Sequence, residues 1–168
     1  MDVKTFPVAR VLVVADWAVD PYGVIAACHR RAAEGGTVFA LVVPARLHGL
    51  DWVGDPYASR PCAARQLEAL ERIATAGGLD VELAEVGDPD PTSAIEDARA
   101  TYAATEVLVC GRPRRLDHPF SLVRRVRRAS GLTVRDVAIA APSVTRERRG
   151  WSVLRGGGHC PADAPQAA

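Results

Sequence analysis

The chain has 168 residues, 48% of them hydrophobic and 24% charged, the size and balance of one soluble globular domain that can bury its own core. Apolar runs such as Val11 to Ala15 and Val137 to Ala141 fall far short of the roughly 20 residues of a membrane-spanning helix, so that class is excluded. The net charge of +1 hides a division: residues 1–111 carry nine basic and sixteen acidic side chains, residues 112–168 twelve basic and four acidic, which points to an anionic partner for the downstream end.

Val8 to Ala15 (VARVLVVA) is an apolar run rich in β-branched residues, the pattern of a strand covered on both faces and the expected centre of a sheet. Asp16 and Trp17 follow it. Asp20-Pro21 opens a helix, the carboxylate accepting from orphan amides and the proline fixing the first helical φ. The helix is expected to run to about Glu34 before Gly35-Gly36, with Val24, Ala27, Cys28 and Ala32 inward. Thr37 to Val43 (TVFALVV) is a second buried strand, closed by Pro44. The connection Ala45 to Arg60 is long enough to belong to the mobile or lid-forming class.

Pro61 to Ala76 reads as a helix with Ala63, Leu67, Leu70 and Ile73 on one side, ended by Gly77-Gly78. Asp80 to Val86 (DVELAEV) alternates and is expected near a sheet edge. Gly87-Asp88-Pro89-Asp90-Pro91 turns into a third helix capped by Asp90 or by Ser93, the latter in a box with Glu96; Ala94, Ile95, Ala98 and Tyr102 face inward. Then come the strand Glu106 to Cys110, an Arg-rich loop from Gly111, a basic helix from Ser121 to Ser130, and a last strand, Val134 to Ala141. Residues 1–142 form the expected domain. Residues 143–168, basic and then rich in Gly, Pro and Ala, form a tail expected to be disordered.

Regular alternation of strand and helix implies an α/β fold with a mainly parallel five-stranded sheet and helices on both faces. With the first strand central and right-handed crossovers, the strand order is 3-2-1-4-5. The winding then reverses between Asp16 and Gly111, and ligands bind outside the carboxyl ends of strands at such a reversal.

Several stretches now resemble one family. VLVVAD, the long connection after TVFALVV, GDPDPTSAIEDARATYAATEVLVCG and SLVRRVRRASGLTVRDVAIAA are similar, in order and length, to elements of the universal stress proteins over residues 8–142. The resemblance implies a three-layer α/β/α fold of the adenine nucleotide alpha hydrolase-like kind and a stress-response sensor or adaptor. It also implies a homodimer paired through Val134 to Ala141, and a site for ATP, ADP or AMP. Members that bind ATP carry G-x2-G-x9-G-(S/T) after the fourth strand, where glycines admit the phosphates to backbone amides and a helix N-terminus faces the anion. Here Gly111 fills the first position, Arg114 replaces the second glycine, the spacer is shorter, and Phe120-Ser121 stands where Gly-Ser is expected. The loop is a degenerate version in which Arg112, Arg114 and Arg115 offer guanidinium groups in place of backbone amides. By the same resemblance Asp16 lies near the adenine end, Val43 offers backbone groups to the base, and Ser121 supplies the terminal hydroxyl.

Each residue has a plainer reading. Asp16 is equally a loop carboxylate, Val43 a core residue, Trp17 an edge aromatic, and the arginines of the fourth helix a solvated face. The alternative function is a dimeric adaptor without nucleotide, whose Arg-rich helix and tail hold an acidic protein or nucleic acid. Sequence-specific nucleic-acid binding is not expected, because interleaved aromatics and a helix-turn-helix pattern are missing. No catalytic residues are assigned: Asp117, His118 and Ser121 are too local for a triad, and weak nucleotide hydrolysis is the most that is expected. Cys28, Cys62, Cys110 and Cys160 show no C-x-x-C spacing, so no metal site is expected and the thiols are expected to be reduced. With no apolar segment and cleavage site near the start, a cytoplasmic location follows.

Overall fold

A computed structural model of the chain describes residues 8–46, 58–113 and 122–142. From Val11 onward every residue of β1 (Ala9–Ala15) is buried. Successive strand side chains point to opposite faces, so burial of the whole run requires cover on both sides. Val11, Val13 and Ala15 enter one core, with Val24, Ile25, Ala27 and Cys28 of α1 (Pro21–Ala32) and Ala63, Leu67, Leu70 and Ala74 of α2 (Arg60–Ala76). Leu12 and Val14 enter the other, with Ala94, Ile95 and Ala98 of α3 (Pro91–Thr101) and Val126 of α4 (Leu122–Ser130). The three layers are thus α1 and α2, the sheet, and α3 and α4.

The remaining strands are β2 (Thr37–Pro44), β3 (Val81–Gly87), β4 (Glu106–Gly111) and β5 (Thr133–Ala138). Their order is β3-β2-β1-β4-β5 and every pairing is parallel, as the alternation of elements required. The alternating β3 is indeed an edge strand with no fully buried residue.

Local signals explain the element ends. Asp20 caps α1, its Oδ1 accepting from Tyr22 N at 3.3 Å, with Pro21 in the first turn. Of the two candidate caps for α3 the chain uses Asp90, whose Oδ2 accepts from Ser93 N at 3.2 Å; Ser93 lies inside the first turn and forms no box of its own. At the end of α2 the chain turns through Gly78 at φ +69°, a left-handed conformation that side chains with a Cβ resist.

Two expectations are corrected. β5 stops at Ala138 instead of Ala141, because the next residues are taken up elsewhere. Ile139 N still donates to Gly111 O at 2.8 Å, but its side chain turns into the core under Gly23, and Ala140 O accepts from the Asp20 amide at 3.0 Å. Cysteine spacing also misled: Cys28 and Cys110 are free and buried, but Cys62 is disulfide-bonded, so the cysteines are not all reduced. A disulfide needs nearness in space and no short spacing in sequence.

At the amino edge of the sheet charged side chains lock the elements together. Glu106, 6% exposed at the start of β4, receives Arg31 Nε of α1 at 2.8 Å on Oε2, and Arg135 Nε of β5 lies 2.6 Å from Oε1. Arg135 also donates to Glu34 at 2.7 Å, and this bond holds the Glu34 carboxyl below the usual carboxylate range. Next to them Arg10 pairs with Glu82 and lies 4.3 Å over the Tyr102 ring, whose hydroxyl donates to Val38 O at 2.9 Å.

Candidate functional site

The crossovers leave β1 toward β2 and β3 on one side, and β4 and β5 lie on the other, so the winding reverses between β1 and β4. Loops that follow two strands at such a reversal diverge and leave a crevice at the carboxyl edge. β1 and β4 stay joined to their ends, Asp16 N donating to Cys110 O at 2.9 Å, so Asp16 and Gly111 stand on neighbouring strands at the rim.

Asp16 closes a local turn there, its Oδ1 accepting from Ala18 N at 3.0 Å. Gly111 is half-buried, and a Cβ built on it meets no heavy atom of the described residues within 4 Å. Among the described residues neither packing nor a left-handed φ requires glycine at this position. Gly87, at the equivalent end of β3, is different: a Cβ there comes within 2.6 Å of Ala94 Cβ and 3.0 Å of Val42 Cγ1. Glycine at Gly87 therefore answers to helix packing, whereas at Gly111 no described residue stands in the way of a side chain. Arg112 follows, exposed, and supplies fixed positive charge beside that space.

Val43 sits on the far side of β1, its side chain fully buried; the β1–β2 ladder ends one residue earlier, at Val14 and Val42, and Val43 pairs with Val86. It can meet a ligand only through its backbone. Trp17 donates from Nε1 to Arg46 O at 2.8 Å and packs on the core, so it ties the loop after β1 to the end of β2 and is held as an edge aromatic. Arg114 and Ser121, with Arg115 and Phe120, lie outside the described residues, as does the tail beyond Pro142. α4 begins at Leu122, directing its positive dipole end toward this edge.

Cys110, next to Gly111, is no nucleophile. Burial pushes its thiol far above the usual range, with the neighbouring Cys28 adding to the effect, and Cys28 itself is pushed by burial to about 12. Both are neutral thiols at physiological pH. Among the described residues no group of three or more His, Cys, Asp or Glu side chains could hold a metal ion, and no helix is long and apolar enough to cross a membrane.

Two features escaped sequence reasoning. Tyr22, in the first turn of α1, is 67% exposed and is an aromatic surface at the carboxyl edge; the Asp-Pro helix start two residues before it was the available signal. Glu106 is the pivot of the opposite edge, and its signal was a carboxylate opening an otherwise apolar strand. Against known proteins, no family model matches the chain and neither does any curated protein sequence.

Proposed function

We propose that the protein is a ligand-sensing adaptor of the universal stress type, binding an adenine nucleotide or another phosphorylated small molecule at the carboxyl edge between β1 and β4. The observation that carries this reading is that no described residue fills the space beside Gly111, next to exposed Arg112 and at the reversal of the winding. Guanidinium groups and a helix N-terminus are both suited to phosphate oxygens, and they replace the backbone cradle that glycines build elsewhere. In this reading Arg112 and Arg114 hold the phosphates, Ser121 donates its hydroxyl, Asp16 accepts from the ribose or base, and Val43 contributes backbone groups. No catalytic step is assigned. The protein acts as a homodimer through the free edge of β5, whose backbone groups lack a strand partner on that side among the described residues.

The test is mass analysis of the purified protein for co-bound nucleotide, followed by calorimetry with ATP, ADP and AMP. Binding is expected, and it weakens at least about tenfold in Arg112→Ala and in Arg114→Ala, as loss of a charge-assisted contact implies. Absence of heat with all three nucleotides at millimolar concentration would sink the nucleotide reading.

A further inference from the structure

The layer formed by α3 and α4 carries two strips of opposite charge side by side. Glu96 and Asp97 on α3 are exposed, as are Asp88 and Asp90 at its start. Arg124, Arg125, Arg127 and Arg128 are exposed on α4, which has no acidic residue of its own. The helices pack against each other, and Arg125 reaches Asp90 at 3.9 Å. The described apolar side chains of α4 are already used: Val126 is 1% exposed and Val123 packs on the same core, so among the described residues the helix offers no apolar face to a lipid surface.

Both helices connect parallel strands, so they run in the same direction. At about 1.5 Å per residue, Glu96 and Asp97 stand about 7.5 and 9 Å beyond the first residue of α3, and Arg127 and Arg128 stand equally far along α4. The long Arg125 side chain of α4 already reaches Asp90 at the start of α3 within one copy. A two-fold axis lying between the helices and parallel to them would set the α4 of each copy over the α3 of the other. The acidic strip of each copy then faces the basic strip of the other, and every contact occurs twice.

We infer that the α3–α4 face is a self-complementary docking surface for a second copy of this chain. A nucleic acid fits it less well. A polyanion drawn to the arginines would lie along α3 and meet the four carboxylates beside them, whereas a second copy meets each strip with its opposite. The interface is built from charges and is weak, reversible and salt-sensitive. It is distinct from the β5 edge, and the two can operate in one assembly.

Sedimentation of the full chain over a range of concentrations, at low and high salt, tests this inference through three charge-reversal variants. Arg125→Glu with Arg128→Glu, and separately Glu96→Arg with Asp97→Arg, are expected to weaken salt-sensitive association by about tenfold or more, since each change acts twice across the axis. The variant with all four reversals is expected to regain it, a result that misfolding cannot produce. If association is indifferent to all three variants, or if the fourfold reversal stays as weak as its parents, the inference is wrong. Anisotropy with a labelled DNA duplex is the companion measurement. Tight binding abolished by the arginine reversals, with no charge-dependent self-association, would assign the face to nucleic acid and overturn the inference.

Discussion

The two edges of one sheet have been put to opposite uses. At the amino edge the charges answer one another: Arg31 and Arg135 bracket Glu106, Glu34 takes the other end of Arg135, and Arg10 lies between Glu82 and the Tyr102 ring. At the carboxyl edge no described residue packs over Gly111 and Arg112 is exposed, with Asp16 on the neighbouring strand. A parallel sheet makes this division natural. Its crossovers leave diverging loops at one end, where function can sit, while the other end closes the fold. The lesson is that the charges of the amino edge are spent on joining elements that lie far apart in the sequence, whereas Asp16 at the carboxyl edge closes only its own turn and Arg112 is exposed.

The sharpest way to break the comparison is to remove its pivot. Glu106→Ala leaves two guanidinium groups around a largely buried gap, and a loss of about 3 kcal/mol is expected in urea unfolding, because removing one partner strands buried charge. A loss below about 0.5 kcal/mol would show that the cluster does not lock the amino edge.

The two strand-end glycines give the next contrast. Gly87→Val drives a side chain into Ala94 and Val42 and is expected to cost about 1–3 kcal/mol, as overpacking does. Gly111→Val meets no described residue within 4 Å of its Cβ and is expected to stay within about 0.5 kcal/mol of wild type. Equal losses would erase the distinction between a packing glycine and one that keeps room for a ligand.

A smaller effect is read by pH. Burial pushes the Tyr102 hydroxyl from the ordinary 10.0 to about 12. Because the fold favours the neutral phenol, its contribution is complete below about pH 10 and is lost as pH rises through about 12. Alkaline unfolding is therefore expected to set in later for Tyr102→Phe than for wild type, relative to their stabilities at neutral pH. Parallel curves would show that Tyr102 does not titrate with unfolding.

How much of this was legible in the sequence follows from what each feature depends on. The β1 run, the Asp20-Pro21 and Asp90-Pro91 helix starts and the alternation of β3 are local patterns, and with right-handed crossovers they imply the sheet order. The end of β5 was not legible, since Ile139 leaves the ladder to fill space under Gly23 on a distant helix. The Glu106 cluster joins residues 31, 106 and 135, which no short window brings together. At the site, Asp16 and Gly111 were correctly expected to be neighbours because topology alone pairs the ends of β1 and β4. The commitment of Trp17 to Arg46 and the exposure of Tyr22 depend on loop packing that composition does not encode.

The central claim, that the carboxyl edge is kept open for a phosphorylated ligand, meets its most direct test in thermal unfolding of wild type and Gly111→Val with and without millimolar ATP, ADP or AMP. A ligand at 100 times its dissociation constant stabilises the native state by about 2.7 kcal/mol, which shifts the melting temperature by several degrees. The account predicts that shift in wild type and its loss in Gly111→Val, whose melting temperature without ligand is unchanged. The same shift in both proteins, or none in wild type with any of the three nucleotides, would contradict it.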